Sequence, residues 1–278
     1  MGSRLSGWRK IATAMWSEAD DPQIYGALEV DATRMLAFIE QARSGGHRVT
    51  PTHLVGRALA HALHEVPDLN VRLVGGEAVP RRSVDVFFIT MVGGGRDLSG
   101  VKVVGADTKT AYAVAAELGG RSKTLKSGKD PGFASTKRLM DALPMPLLRR
   151  ALKLAAWITG DHDRGVAALK LEASPFGSAI VSSLGSIGLP LGFVPLAWMY
   201  KVPIIVVAGE IADKPVAIAG KVEIRPMLPI TATIDHRYAD GWHIGQMVKP
   251  FRAYLDDPGA FEPAAPPAAS GPQEPPSP

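Results

Sequence analysis

The chain of 278 residues contains no cysteine. That absence excludes thiol nucleophiles, acyl-cysteine intermediates, disulfide frameworks and cysteine-ligated zinc, so nucleophile activation must rest on histidine, serine, lysine or carboxylates. A charged-then-apolar leader with a small-residue cleavage site is also lacking, which makes the cytoplasm the expected location. No internal repeat is visible. The length allows one large domain or two small ones, with ample chain for a core.

Two further absences bear on function. The run Gly93-Gly94-Gly95 is followed by neither GKS nor GKT and opens no helix, so it reads as a turn between strands and not as a phosphate loop. Residues 173–200 carry no charge over 28 positions, the length of a membrane span. Pro175, Pro190, Pro195, Gly177, Gly185, Gly188 and Gly192 would interrupt a helix there, so buried strands and tight loops are expected.

Charge is present but uneven. The net +4 averages a segment over 121–153, with nine basic and two acidic residues, and a remainder at −3. A solvated charged loop and helix face is the simpler reading of that segment. The functional one is a local anionic partner, a phosphate-bearing ligand or a lipid surface, and no nucleic acid.

Periodicity predicts helices over 9–17, 32–43, 51–66, 109–118, 139–158 and 243–255, and strands near 23–30, 70–74, 84–91, 178–183, 203–210, 216–219 and 227–234. The helix over 139–158 is amphipathic, with Arg149, Arg150 and Lys153 among leucines. Packing on the protein's own body is favoured for it over a membrane surface. Strands and helices without strict alternation indicate an α+β fold with a mixed β-sheet flanked by helices. One domain over 1–261 is expected, with a disordered Pro/Ala-rich tail over 262–278.

The densest chemistry lies at 230–242, where a β-branched strand delivers Asp235, His236 and Arg237 to its end and Asp240-Gly241 turns the chain into a helix. Strand ends meeting loops are where an imidazole reaches a ligand, and a histidine base needs a fixed tautomer there. A core histidine beside a salt bridge fits the same local sequence equally well. His61 and His64, three apart on a helix, lack a third metal ligand and read as surface residues, and Asp161-His162-Asp163 reads as a turn.

The motif His236-Arg237-Tyr238-Ala239-Asp240-Gly241 resembles the His-x-x-x-Asp-Gly signature of the dihydrolipoamide acyltransferase core of 2-oxo acid dehydrogenase complexes, which shares the chloramphenicol acetyltransferase-like fold. The strand Ala179-Ile180-Val181-Ser182-Ser183-Leu184-Gly185, the opening Arg9-Lys10-Ile11-Ala12 and Asp213-Lys214-Pro215-Val216 are similar to other segments of that family, in the family's order. The resemblance implies direct acyl transfer between coenzyme A, as acyl-CoA substrate, and a lipoamide-like thiol or other acceptor, with no acyl-enzyme. It assigns His236 as general base, Ser182 as oxyanion donor with Ser183 as fallback, and Asp240 as an orienting residue paired with Arg9 or Arg237. It also implies a homotrimer with active sites between subunits.

Four departures from the family pattern follow. The core begins near residue 8, without lipoyl or subunit-binding domains ahead of it, so no covalently attached lipoyl group is expected and a lipoyl domain is expected to act in trans. An insertion of about 121–176 is longer than the family's linker. Trp242 and His243 follow the Asp-Gly turn where small or acidic residues are usual. The polar tail predicts a free trimer. A catalytically inactive trimeric scaffold, docking on a membrane or partner, is the alternative to an enzyme.

Overall fold

A computed structural model describes residues 21–92, 97–126, 144–167, 171–196 and 198–265. The expected first helix, the Gly93-Gly94-Gly95 turn, Arg9 and the centre of the basic segment lie outside the described residues.

Chain order is β1 Gln23–Asp31, α1 Thr33–Ser44, α2 Pro51–Glu65, β2 Val71–Val74, β3 Glu77–Pro80, β4 Val86–Val92, β5 Asp97–Val103, α3 Ala111–Lys126, α4 Met145–Ala156, β6 Ala179–Ser183, β7 Ile204–Ala208, β8 Ala212–Ile218, β9 Lys221–Asp235 and α5 Gly241–Asp256. The seven-stranded sheet runs β1-β9-β7-β6-β4-β5, with β8 forming a hairpin on β9. Strand β6 is parallel to β4 and β7, and the other pairs are antiparallel. The sheet is mixed, as expected. The periodicity does not predict β3 and β5, and β9 begins six residues before the expected strand.

Helix α2 shows how sequence becomes element. Pro51 occupies its first turn, where no amide partner is needed, and Thr50 accepts from the His53 amide while His53 Nδ1 accepts from the Thr50 amide. Its Leu54, Leu59 and Leu63 are buried, each contributing about 2 kcal/mol. Gly56 is required where the helix meets β4, because a Cβ there would lie 2.2 Å from the Phe88 ring. The main core joins α1, α2, α3 and α5 to one sheet face through Val181, Val206 and Leu228. The other face carries a smaller cluster around Ile180, Ile205, Val207, Leu196 and Val202.

The folded domain extends past its expected edge at 261. Glu262 is buried and accepts from Arg57 Nε at 3.1 Å, the Ala111 amide at 2.7 Å and the Tyr254 hydroxyl at 2.5 Å. Three donors surround one carboxylate, which joins the chain after α5 to the middle of α2 and the start of α3. Residues 266–278 lie outside the described residues.

Candidate active site

The end of β9 is gripped on both sides. The Asp235 amide donates to the Pro203 carbonyl at 2.9 Å, and the His236 amide donates to the Pro22 carbonyl at 2.8 Å. Asp235 is buried and receives Arg237 in a fork, Nε to Oδ1 at 2.9 Å and Nη2 to Oδ2 at 2.6 Å. The hydrogen bond to Asp235 raises the Arg237 pKa above its ordinary value. The Tyr238 amide turns back to the Asp235 carbonyl at 2.9 Å, and its hydroxyl accepts from the Leu73 amide at 3.2 Å. Burial pushes the Tyr238 phenol up, keeping it neutral.

This frame sets the His236 ring. Nδ1 lies 2.9 Å from the Ala239 carbonyl oxygen, which can only accept, so Nδ1 carries the hydrogen and Nε2 presents its lone pair. His236 is exposed. A fixed tautomer with an open Nε2 is what a general base needs.

Asp240 caps α5. Its Oδ1 accepts from the Trp242 amide at 2.9 Å and the His243 amide at 3.1 Å, and lies 2.7 Å from His243 Nδ1. The His243 backbone hydrogen bond, with the His243 side chain next, holds the Asp240 carboxyl below the usual carboxylate range. Among the described residues Asp240 pairs with His243 and Arg237 forks onto Asp235, while Arg9, the other expected partner of Asp240, lies outside them. The departure at 243 supplies the partner, and Trp242 stands exposed beside it, edge-on to the His243 ring at 5.0 Å.

Ser182 sits near the end of β6, buried, on the sheet face of Ile180, whereas Ser183 alternates to the helical side. Pairing places Ser182 beside Val207 and Val207 beside Thr231 of β9. His236 follows Thr231 by five residues, roughly 16 Å along the strand, and β6 lies two strands across, about 10 Å. The structure therefore does not bring Ser182 and His236 together within one chain.

The remaining candidates have structural partners. His64 pairs with Asp107 at 2.9 Å, and His61 is half-buried against Tyr254 and Phe261, not a free surface residue. Asp161 pairs with Lys201, while Asp163 accepts from the Ser174 hydroxyl. Among the described residues no group of three His, Asp or Glu could hold a metal. No described helix is long and apolar enough to cross a membrane. Arg121 of the basic segment donates to the Lys102 carbonyl, whereas Arg149, Arg150 and Lys153 are exposed.

Sequence and fold comparisons agree. The family described as 2-oxoacid dehydrogenases acyltransferase (catalytic domain) matches residues 3–129 and 167–261. The lipoamide acyltransferase component of the branched-chain alpha-keto acid dehydrogenase complex of Bacillus subtilis is 23% identical over 261 residues, 91% of this chain and 51% of that protein. The chain thus spans about half the length of that relative. A probable dihydrolipoamide acetyltransferase from Listeria monocytogenes superposes with a TM-score of 0.63 at 20% identity, covering 92% of this chain and 94% of the other. The dihydrolipoamide acetyltransferase of Azotobacter vinelandii gives 0.63 at 21% identity, covering 87% and 84%. In that protein a serine, a histidine and an asparagine four positions after the histidine were investigated for their role in the catalytic mechanism.

Proposed function

The chain belongs to the 2-oxoacid dehydrogenase acyltransferase (catalytic domain) family, and from that premise we propose that it moves an acyl group between coenzyme A and a lipoamide-like thiol or other small acceptor. The fixed tautomer of His236 carries the reading: a protonated Nδ1 held by Ala239 leaves Nε2 free to take a thiol proton.

In this reading Nε2 accepts the S–H proton of the attacking thiol, whose sulfur bonds to the thioester carbonyl carbon. The carbonyl oxygen gains negative charge, and the Ser182 hydroxyl donates to it, an interaction worth about 3 kcal/mol. Collapse breaks the original C–S bond, and the imidazolium returns its proton to the leaving sulfur. No covalent bond to the protein forms, in keeping with a chain that lacks cysteine. Asp235 and Arg237 brace the loop, and Asp240 fixes the start of α5 and so the backbone carrying the Ala239 carbonyl.

The separation of Ser182 from His236 supports a site built from two chains. One subunit supplies the serine and its neighbour the histidine, and a homotrimer closes such a contact symmetrically. A lipoyl arm is one acceptor that such a site could take, and the reading places the enzyme in the cytoplasm. Free-thiol release from a panel of acyl-CoA substrates tests the proposal. His236→Ala is expected to lower turnover about 10²- to 10⁴-fold, and unchanged turnover would remove His236 as the base.

A further inference from the structure

The interval between the two family-matched segments contains α4, and the described residues leave much of this helix's surface uncovered. Its inner side seats Leu152 and Ala155, half-buried, and Ala156, buried. The outer side is divided. Leu147, Ala151 and Leu154 recur at i, i+4 and i+7 along one line, with Leu147 51% and Leu154 58% exposed. Arg149, Arg150 and Lys153 occupy the adjoining side, and Trp157, 52% exposed, stands one turn beyond Lys153 at the boundary. Met145 at the helix start is 61% exposed. No acidic residue occurs from Pro144 to Gly160.

The segment is anchored at the His236 end of the sheet. Trp157–Asp161 continues α4 as a π-helical turn, and Arg72 Nη1 donates to the carbonyls of Gly160 and Asp161, each at 3.1 Å. Lys201 Nζ lies 3.5 Å from Asp161 Oδ1, and Arg81 donates to the Lys201 carbonyl. Leu73, next to Arg72 in β2, donates its amide to Tyr238. The helix is thus tied, through β2, to the loop that positions His236.

We propose that α4 docks on an anionic lipid surface, with Leu147, Leu154 and Trp157 entering the interface and Arg149, Arg150 and Lys153 meeting the headgroup phosphates. Cations alone would suit any polyanion, but a parallel apolar line needs an apolar phase beside the charge. An indole at the boundary between the two suits the depth of the headgroups. Docking in this way brings the His236 end of the protein toward the membrane.

The test is co-sedimentation of the full chain with vesicles of phosphatidylcholine alone or mixed with phosphatidylglycerol, at low and high salt. It reads binding without turnover, so it is independent of the acyl-transfer reading. The expected result is binding to the mixed vesicles that salt reverses, and little to phosphatidylcholine. Replacing Arg149, Arg150 and Lys153 with Gln lowers partitioning about fivefold per charge, and Leu147→Glu with Leu154→Glu abolishes it while elution volume stays unchanged. The proposal is overturned if the wild-type chain stays in the supernatant with mixed vesicles at low salt, or if both variants sediment as it does. Conversion of a larger assembly to a smaller one by the glutamate variant also overturns it, since a second copy then covers the leucines. Salt-reversible capture by an acidic protein with no vesicle binding gives the surface to that partner instead.

Discussion

Ser182 and His236 stand at opposite ends of one sheet, because Thr231 lies in register beside Ser182's neighbour Val207 and His236 follows Thr231 by five residues. Strand rise makes that offset roughly 16 Å. A mechanism using both side chains on one substrate therefore needs two subunits, and each element of the account can be tested separately.

The two serines of β6 separate oxyanion stabilisation from packing. Ser182 and Ser183 point to opposite sheet faces. Ser182→Ala is expected to lower kcat about 10²- to 10³-fold with little change in KM, the signature of an interaction made in the transition state. Ser183→Ala leaves kcat within a few-fold. Steady-state kinetics on both variants checks the assignment, and the reverse order would move the donor to Ser183.

Glu262 ties the chain end to the core. Its carboxylate faces Arg57, the Ala111 amide and Tyr254, and the Arg57–Glu262 pair is buried. Replacing one partner of a buried pair leaves the other charge unsatisfied, so Glu262→Ala is expected to destabilise the fold by about 3 to 5 kcal/mol. Urea unfolding measures it. A loss below 1 kcal/mol would mean that water replaces the carboxylate at little cost.

His53 gives the fold an acid limit. Burial lowers its pKa from 6.5 to about 4, so the folded state resists a proton that the unfolded chain accepts. Its neutral Nδ1 also accepts from the Thr50 amide at the start of α2. The contribution is full above pH 6.5, falls as the pH drops through the interval and levels off near 4. The span corresponds to about 3 kcal/mol. Thermal unfolding of wild type and His53→Gln from pH 7 to 4 checks this: the wild-type Tm is expected to fall more steeply.

Local patterns in the sequence read the site's parts but not their arrangement. The β-branched alternation of 230–234 and the change to Asp-Gly made the end of β9 and the start of α5 legible, and Ser182 stood in a recognisable apolar strand. The pairing of Asp240 with His243 is legible as well, because the two have the spacing of a helix cap and its third residue. Glu262 could not be read, because a lone carboxylate in a Pro/Ala-rich segment gives no local sign that Arg57, more than 200 positions earlier, waits for it. The gap between Ser182 and His236 was equally hidden, since strand order and register are non-local. Strand β5 was missed because Gly100 breaks its pattern, and the fold needs that glycine: a Cβ there would lie 2.2 Å from the Phe87 ring.

The most direct test of the central claim is complementation between two inactive variants. Ser182→Ala and His236→Ala chains, each bearing a different affinity tag, are co-expressed, and mixed oligomers are isolated through both tags. The account predicts that mixed oligomers recover acyl-CoA thiol release to a sizeable fraction of the wild-type rate, because some interfaces pair an intact serine with an intact histidine. Mixed oligomers as inactive as their parents would contradict it, showing that the two residues do not serve one site.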